Sequence, residues 1–211
     1  MRIGIVSCEA FKEEIEQLIA GDPDFVYKEY VEFALHVNPA NMKKVLLEKV
    51  NSLEGKVDSV FLGYGYCQSL KNVTAECRVP TVMLDTDDCI AVLLTPEEYA
   101  KERKKCTGTW YNTPFFSEAG IKRLIKELNL DHPKVKQRGE MWFIRKFFEG
   151  YSRCLYIDTG IGNRPKYEAL SMAFADELKL KHESREGTVS LLKEGLEETK
   201  KLATAAMAAK S

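Results

Sequence analysis

Val57-Asp58-Ser59-Val60-Phe61-Leu62-Gly63 and Val79-Pro80-Thr81-Val82-Met83-Leu84 are the two apolar runs on which the reading of this chain turns. Each is short and largely apolar and gives way to a polar stretch, as does a strand buried on both faces of a parallel sheet. Each also runs out to a cysteine. The first reaches Cys67 through Tyr64-Gly65-Tyr66, and the second reaches Cys89 through Asp85-Thr86-Asp87-Asp88. The amino terminus repeats the arrangement, because Arg2-Ile3-Gly4-Ile5-Val6-Ser7 ends at Cys8. In an open parallel sheet the carboxyl ends of neighbouring strands share one edge, and ligands bind in the crevice there. Three thiols are expected on that edge.

Outward from these runs, helical and strand patterns alternate. Phe11, Ile15, Leu18 and Ile19 recur at helical spacing before Gly21. A strand is expected over Tyr30 to Leu35, and Asn38-Pro39 then opens a helix from Ala40 to Val50, which leaves His36 at a strand end. Thr95-Pro96-Glu97-Glu98 starts a helix that ends near Lys105. A short strand within 107–114 precedes a helix from Ser117 to Leu128 and a longer one from Val135 to Phe148. The aromatic stripe of that longer helix (Trp142, Phe143, Phe147, Phe148) reads first as core and second as a homo-oligomer interface or cofactor wall. A strand over 154–160, a helix from Tyr167 to Leu178, a strand over 180–183 and a last helix to about Leu202 complete the chain. This alternation predicts an α/β fold: a single domain over 1–202 with one open, mostly parallel sheet and helices on both faces. Residues 203–211 read as a tail, either disordered or a helical extension.

Composition narrows the function classes. With 31 basic and 32 acidic residues the net charge is -1, so no global field favours nucleic acid or an anionic membrane. No apolar run is long enough to span a bilayer, and no basic segment leads an apolar one at the amino terminus, so a cytoplasmic protein is expected. Six cysteines in 211 residues fit reduced thiols better than a disulfide scaffold, because a core of this size needs no staples. The glycine fingerprint of a dinucleotide fold is absent after the first strand, which leaves NAD and FAD without support.

The candidate site follows from the strand ends. Cys8, Cys67 and Cys89 are read as metal-ligating thiolates, with His36 as a fourth ligand; this donor set suits zinc or a [4Fe-4S] cluster with one open iron. The local CxxC pairs of zinc ribbons are absent, which favours a functional site over a structural clip. Gly63 and Gly65 let the backbone turn close to a bound group, and Tyr66 and Tyr64 wall it or donate to it. Asp87 and Asp88 are candidate acids or bases, although capping of the following helix is the simpler role for one of them. A metal-free thiol enzyme, with Cys89 as nucleophile and Asp87 or His36 as base, is the other catalytic reading. Cys77 is placed at the opposite sheet edge, Cys106 in an exposed charged segment, and Cys154 at a strand start.

Five segments taken together resemble a known family: Ile5-Val6-Ser7-Cys8-Glu9, Leu35-His36-Val37-Asn38-Pro39, Leu62-Gly63-Tyr64-Gly65-Tyr66-Cys67, Asp88-Cys89-Ile90 and Gly108-Thr109-Trp110-Tyr111. It is the family called domain of unknown function 1638, found in methanogenic archaea and in bacteria. This chain departs from its usual pattern at Tyr66, Gln68 and Thr86-Asp87. Genes of the family often lie near corrinoid-dependent methylamine methyltransferases, so the resemblance implies a role in one-carbon or corrinoid metabolism. In that setting zinc at the thiols would activate a nucleophile for methyl transfer to or from a small molecule or a corrinoid protein. The alternative is a non-catalytic accessory protein that binds a corrinoid or docks on a methyltransferase.

Overall fold

The structure is a computed structural model that describes residues 1–33, 39–66, 70–132, 135 and 139–209. It divides into two compact units, Met1–Pro96 with Thr188–Ser211, and Glu97–Gly187, where the sequence favours a single domain. The strands among the described residues are β1 (Ile3–Cys8), β2 (Phe25–Val31), β3 (Ser59–Gly63), β4 (Thr81–Met83), β5 (Thr109–Asn112), β6 (Arg153–Asp158) and β7 (Lys181–Glu186). The helices are α1 (Lys12–Leu18), α2 (Pro39–Asn51), α3 (Cys89–Leu94), α4 (Pro96–Lys105), α5 (Pro114–Glu127), α6 (Glu140–Phe147), α7 (Arg164–Leu178) and α8 (Ser190–Ala208). Every strand pair is parallel, as the alternation predicts, and the strands are shared between two sheets.

The first unit holds the sheet β2-β1-β3-β4. Both central strands, β1 and β3, are buried along their whole length, which is why they read as unbroken runs of apolar and small residues. The edge strand β2 begins at Phe25 and ends at Val31, earlier than the Tyr30 to Leu35 expected from residue type. Its register explains the shift: it pairs with β1 from Ile3↔Phe25 to Cys8↔Val31 and stops where its partner stops. Helix α8 returns to this unit and lies close on β3. A Cβ at Gly195 would stand 2.6 Å from the Phe61 ring and 2.9 Å from Leu84, and Ser59 Oγ donates to the Thr199 carbonyl at 2.9 Å. The helix continues through Ala208, so residues 203–208 extend it.

The second unit holds the sheet β5-β6-β7. One face carries a core in which Ile121 of α5, Ile144 of α6, and Phe174 and Leu178 of α7 surround Cys154 of β6. Strand alternation turns Arg153 to the other face, where it meets Glu102 of α4 at 2.7 Å and Glu183 of β7 at 3.2 Å. Helix α5 starts three residues earlier than expected because Thr113 caps it, accepting from Phe116 N–H, and Pro114 fills its first turn. Helix α6 begins at Glu140, after Gly139 with φ 82°, a conformation that suits glycine outside a helix. Among the described residues no helix is long and apolar enough to cross a membrane.

Candidate functional site

The order of the first sheet creates the crevice. From β1 the chain moves to one side for β2, then crosses to the other side of β1 for β3 and β4. Neighbouring strands β1 and β3 therefore send their connections in opposite directions, and ligands bind at the carboxyl ends of such a pair. Cys8 closes β1 and Gly63 closes β3.

Two close approaches tie the thiol-bearing segments together at this edge. Ser7, the residue before Cys8, is the register partner of Gly63. Its hydroxyl lies 3.1 Å from the Gly63 carbonyl and 3.2 Å from that of Cys8, and shares its proton between them. A Cβ at Gly63 would stand 2.2 Å from Ser7 Oγ, so only glycine fits. Tyr64 N–H then donates to the Leu62 carbonyl at 2.8 Å, a tight turn that ends the strand. Beyond it the chain folds against the β4–α3 connection. Tyr66 N–H donates to the Thr86 carbonyl, and a Cβ at Gly65 would stand 3.0 Å from that oxygen and 3.1 Å from the Asp88 carbonyl carbon. The residues that lead to Cys67 thus lie against those that lead to Cys8 on one side and to Cys89 on the other.

Each expected site residue has a definite place or lies outside the described residues. Cys8 is buried at the β1 end and Cys89, half-buried, is the first residue of α3. Cys67 and His36 lie outside the described residues. Asp88 is the cap of α3: its Oδ1 accepts from Ile90 N–H and Ala91 N–H, each at 2.9 Å. That role fixes the backbone immediately before Cys89. Asp87 is exposed beside it, Tyr64 is buried, and Tyr66 is half-buried. Among the described residues no three His, Cys, Asp or Glu side chains form a group that could hold a metal ion.

Two features distinguish this edge. Gly63 leaves room for the Ser7 side chain and Gly65 for the Thr86 carbonyl and hydroxyl, and among the described residues the buried Thr86 hydroxyl has no hydrogen-bond partner. A buried hydroxyl left without a partner costs free energy. Sequence reasoning missed Ser7 and Thr86. A small hydroxyl residue beside a cysteine was a signal for Ser7; nothing in the sequence distinguished Thr86 from a turn residue.

The remaining cysteines lie elsewhere. Cys77 Sγ donates to the Val73 carbonyl at 3.3 Å before β4 begins, and burial raises its pKa. In the second unit, burial pushes the Cys154 thiol up to about 11. Cys106 is held below the ordinary thiol value, chiefly by its hydrogen bond with Ser152 and then by Thr109.

A family model described as "Protein of unknown function (DUF1638)" matches residues 30–196. The chain belongs to that family. The matched span includes His36, Cys67 and Cys89 and begins after Cys8. No curated protein and no solved structure matches the chain.

Proposed function

We propose that this member of the DUF1638 family is a metal-binding protein with a thiolate site at the carboxyl edge of the first sheet. Cys8, Cys67 and Cys89 are its ligands, and His36 is the fourth. The observation that carries this reading is the pair of close approaches, Ser7 on Gly63 and Gly65-Tyr66 on Thr86, which join the backbone leading to all three thiols. Ligands drawn from separate strand ends suit a preformed functional site better than a zinc ribbon, whose ligands come in local pairs. Zinc, or a [4Fe-4S] cluster, would supply Lewis-acid activation of a bound thiol or other nucleophile there.

The chain's own residues do the rest. Asp88 holds the first turn of α3 so that Cys89 has a fixed backbone position. Asp87, exposed next to it, is the acid or base we assign to the site. Buried Tyr64 and half-buried Tyr66 flank Gly65 in the chain and are the residues we assign to wall the site. The reaction class we assign is methyl transfer in one-carbon or corrinoid metabolism, with a small molecule or a corrinoid protein as substrate.

The test is elemental analysis and an absorption spectrum of protein purified without oxygen and without a histidine tag, beside Cys67→Ala and Cys89→Ala. About one zinc per chain, or a brown protein with about four irons, is expected, and either should be lost in both variants. Colourless, metal-free protein that the substitutions leave unchanged would overturn the reading. The accessory protein and the thiol enzyme would then lead.

A further inference from the structure

One face of the second sheet changes character along its strands. Strand alternation puts Cys154, Tyr156 and Asp158 of β6 on the side of α5, α6 and α7, with Asn112 of β5 beside Tyr156 and His182 of β7 beside Cys154. Around Cys154 that face is an apolar core. Toward the carboxyl ends it is polar: Asn112, Tyr156 and Ser171 are fully enclosed, and Ser117 and Asp158 nearly so. Burying polar groups is costly unless each has a partner, and the carboxyl end of a parallel sheet is where α/β units take ligands.

Most of these groups are answered, which isolates the ones that are not. Arg164 meets Asp158 at 2.9 Å and Glu168 at 3.6 Å, so the charges at the start of α7 are paired. Ser171 Oγ lies 3.1 Å from His182 Nε2 and 3.0 Å from Asn112 Nδ2. Burial lowers the pKa of His182 and keeps its ring neutral at neutral pH, so the Ser171 hydroxyl donates to Nε2 and accepts from Asn112. Asn112 Oδ1 is then an acceptor with nothing to accept from. Among the described residues it has no hydrogen-bond partner, and neither do the hydroxyls of Tyr156 and Ser117. Burial first, and then Asp158 and Glu168, keep the Tyr156 hydroxyl protonated. Asn112 meets α7 at Ser171, and the Tyr156 hydroxyl lies near Tyr167 and Glu168, one turn or about 5 Å nearer the start of that helix. Ser117 stands in the first turn of α5, with its N–H on the carbonyl of Thr113, the residue after Asn112. One acceptor and two hydroxyls therefore go unanswered at one end of one sheet face.

We propose that the carboxyl end of the second sheet is a binding site for a small neutral carboxamide, whose N–H is accepted by Asn112 Oδ1 and whose carbonyl accepts from the hydroxyls of Tyr156 and Ser117. The unanswered groups are uncharged while the charged ones beside them are paired, so the occupant is neutral. An acceptor beside hydroxyl donors requires a ligand that offers a donor beside an acceptor, and a primary amide presents both on one planar group. Walls this enclosed admit only a compact molecule. The site lies wholly in the second unit and does not rest on the thiol reading of the first.

Titration of the full chain with acetamide, followed by proton–nitrogen NMR correlation spectra, tests the proposal. The backbone amides of Asn112, Tyr156 and Ser171 should shift and saturate with acetamide, and stay in place with acetate or glycerol at the same concentrations. Tyr156→Phe and Ser117→Ala each delete only an unanswered hydroxyl, and each should weaken acetamide binding by about tenfold. Neither should lower the melting temperature, because removing a buried hydroxyl that has no partner relieves a cost. That combination separates a ligand site from a structural one. With an ordered water as the resident, Tyr156→Phe would lower the melting temperature and acetamide would shift nothing, which would overturn the proposal. Shifts that survive both substitutions would also overturn it, as would saturation by glycerol in place of acetamide, which would make the occupant a polyol.

Discussion

The two sheets share a parallel arrangement and differ in what fills their centres. In the first, the central strands Ile3–Cys8 and Ser59–Gly63 are buried and carry no ionisable group except the Cys8 thiol. In the second, the central strand Arg153–Asp158 begins and ends with buried charge. Arg153 is paired with Glu102 and Glu183, while Asp158 meets Arg164 at 2.9 Å and accepts from Gly160 N–H at 3.0 Å. The first sheet is stabilised by burial of apolar surface, which is non-directional and insensitive to pH. The second depends in part on ion pairs that break at a high cost when one partner is lost. Both tryptophans, Trp110 and Trp142, lie in the second unit, so fluorescence follows that unit and not the first.

The largest effect should come from removing the central cation of the second sheet. Arg153→Met leaves Glu102 and Glu183 partly buried beside each other, and urea unfolding followed by tryptophan fluorescence should lose about 3 kcal/mol. Glu102→Gln in the same chain should return part of that. A loss below about 1 kcal/mol, the range of surface pairs, would erase the contrast between the two sheets.

The next effect belongs to the first sheet. Gly63→Ala forces a methyl group onto Ser7 and should cost about 1–3 kcal/mol in urea unfolding followed by circular dichroism. Ser7→Gly should relieve the clash and recover stability, which separates close approach from a general intolerance of alanine. If Gly63→Ala is neutral, the tie between the Cys8 and Cys67 segments is looser than the distances indicate.

The smallest effect sharpens the contrast through pH. Lys181 first, then Lys105 and Arg153, hydrogen-bond Glu183 and hold its carboxyl at about 2, well below its unfolded value. That stability is present above the unfolded value of 4.5 and is lost as pH falls toward 2. Burial lowers the pKa of His182, whose Nε2 lies 3.1 Å from the Ser171 hydroxyl, so unfolding takes up a proton below about 6.5. Stability of the second unit should therefore decline as pH falls through 6.5 and again below 4.5. His182→Gln should flatten the upper step in a fluorescence-monitored pH series of urea midpoints. An upper step unchanged in that variant would assign it to another group.

Local chemistry was legible in the sequence wherever it decided the structure locally. The runs at Ser59–Gly63, which is buried, and Thr81–Met83, a half-buried edge strand, announced themselves by their largely apolar character, Thr95-Pro96 announced the start of α4, and Asp88 its place before α3. The cysteines at strand and helix ends were equally visible, and with them the candidate site. Strand order, the division into two sheets, and the limits of β2 came only from tertiary structure, because strand partners are chosen across the chain. Residue type between Phe25 and Val37 suits a strand throughout, and pairing with Ile3–Cys8 alone selects Phe25–Val31. The same holds at the site. Ser7 and Gly63 are 56 residues apart, as a hydrogen bond joining them records. Sequence placed cysteines after strand-like runs; only the crossing of β3 to the far side of β1 brought Ser7 beside Gly63, because hydrogen-bonded pairing is non-local and leaves no periodic trace in either strand.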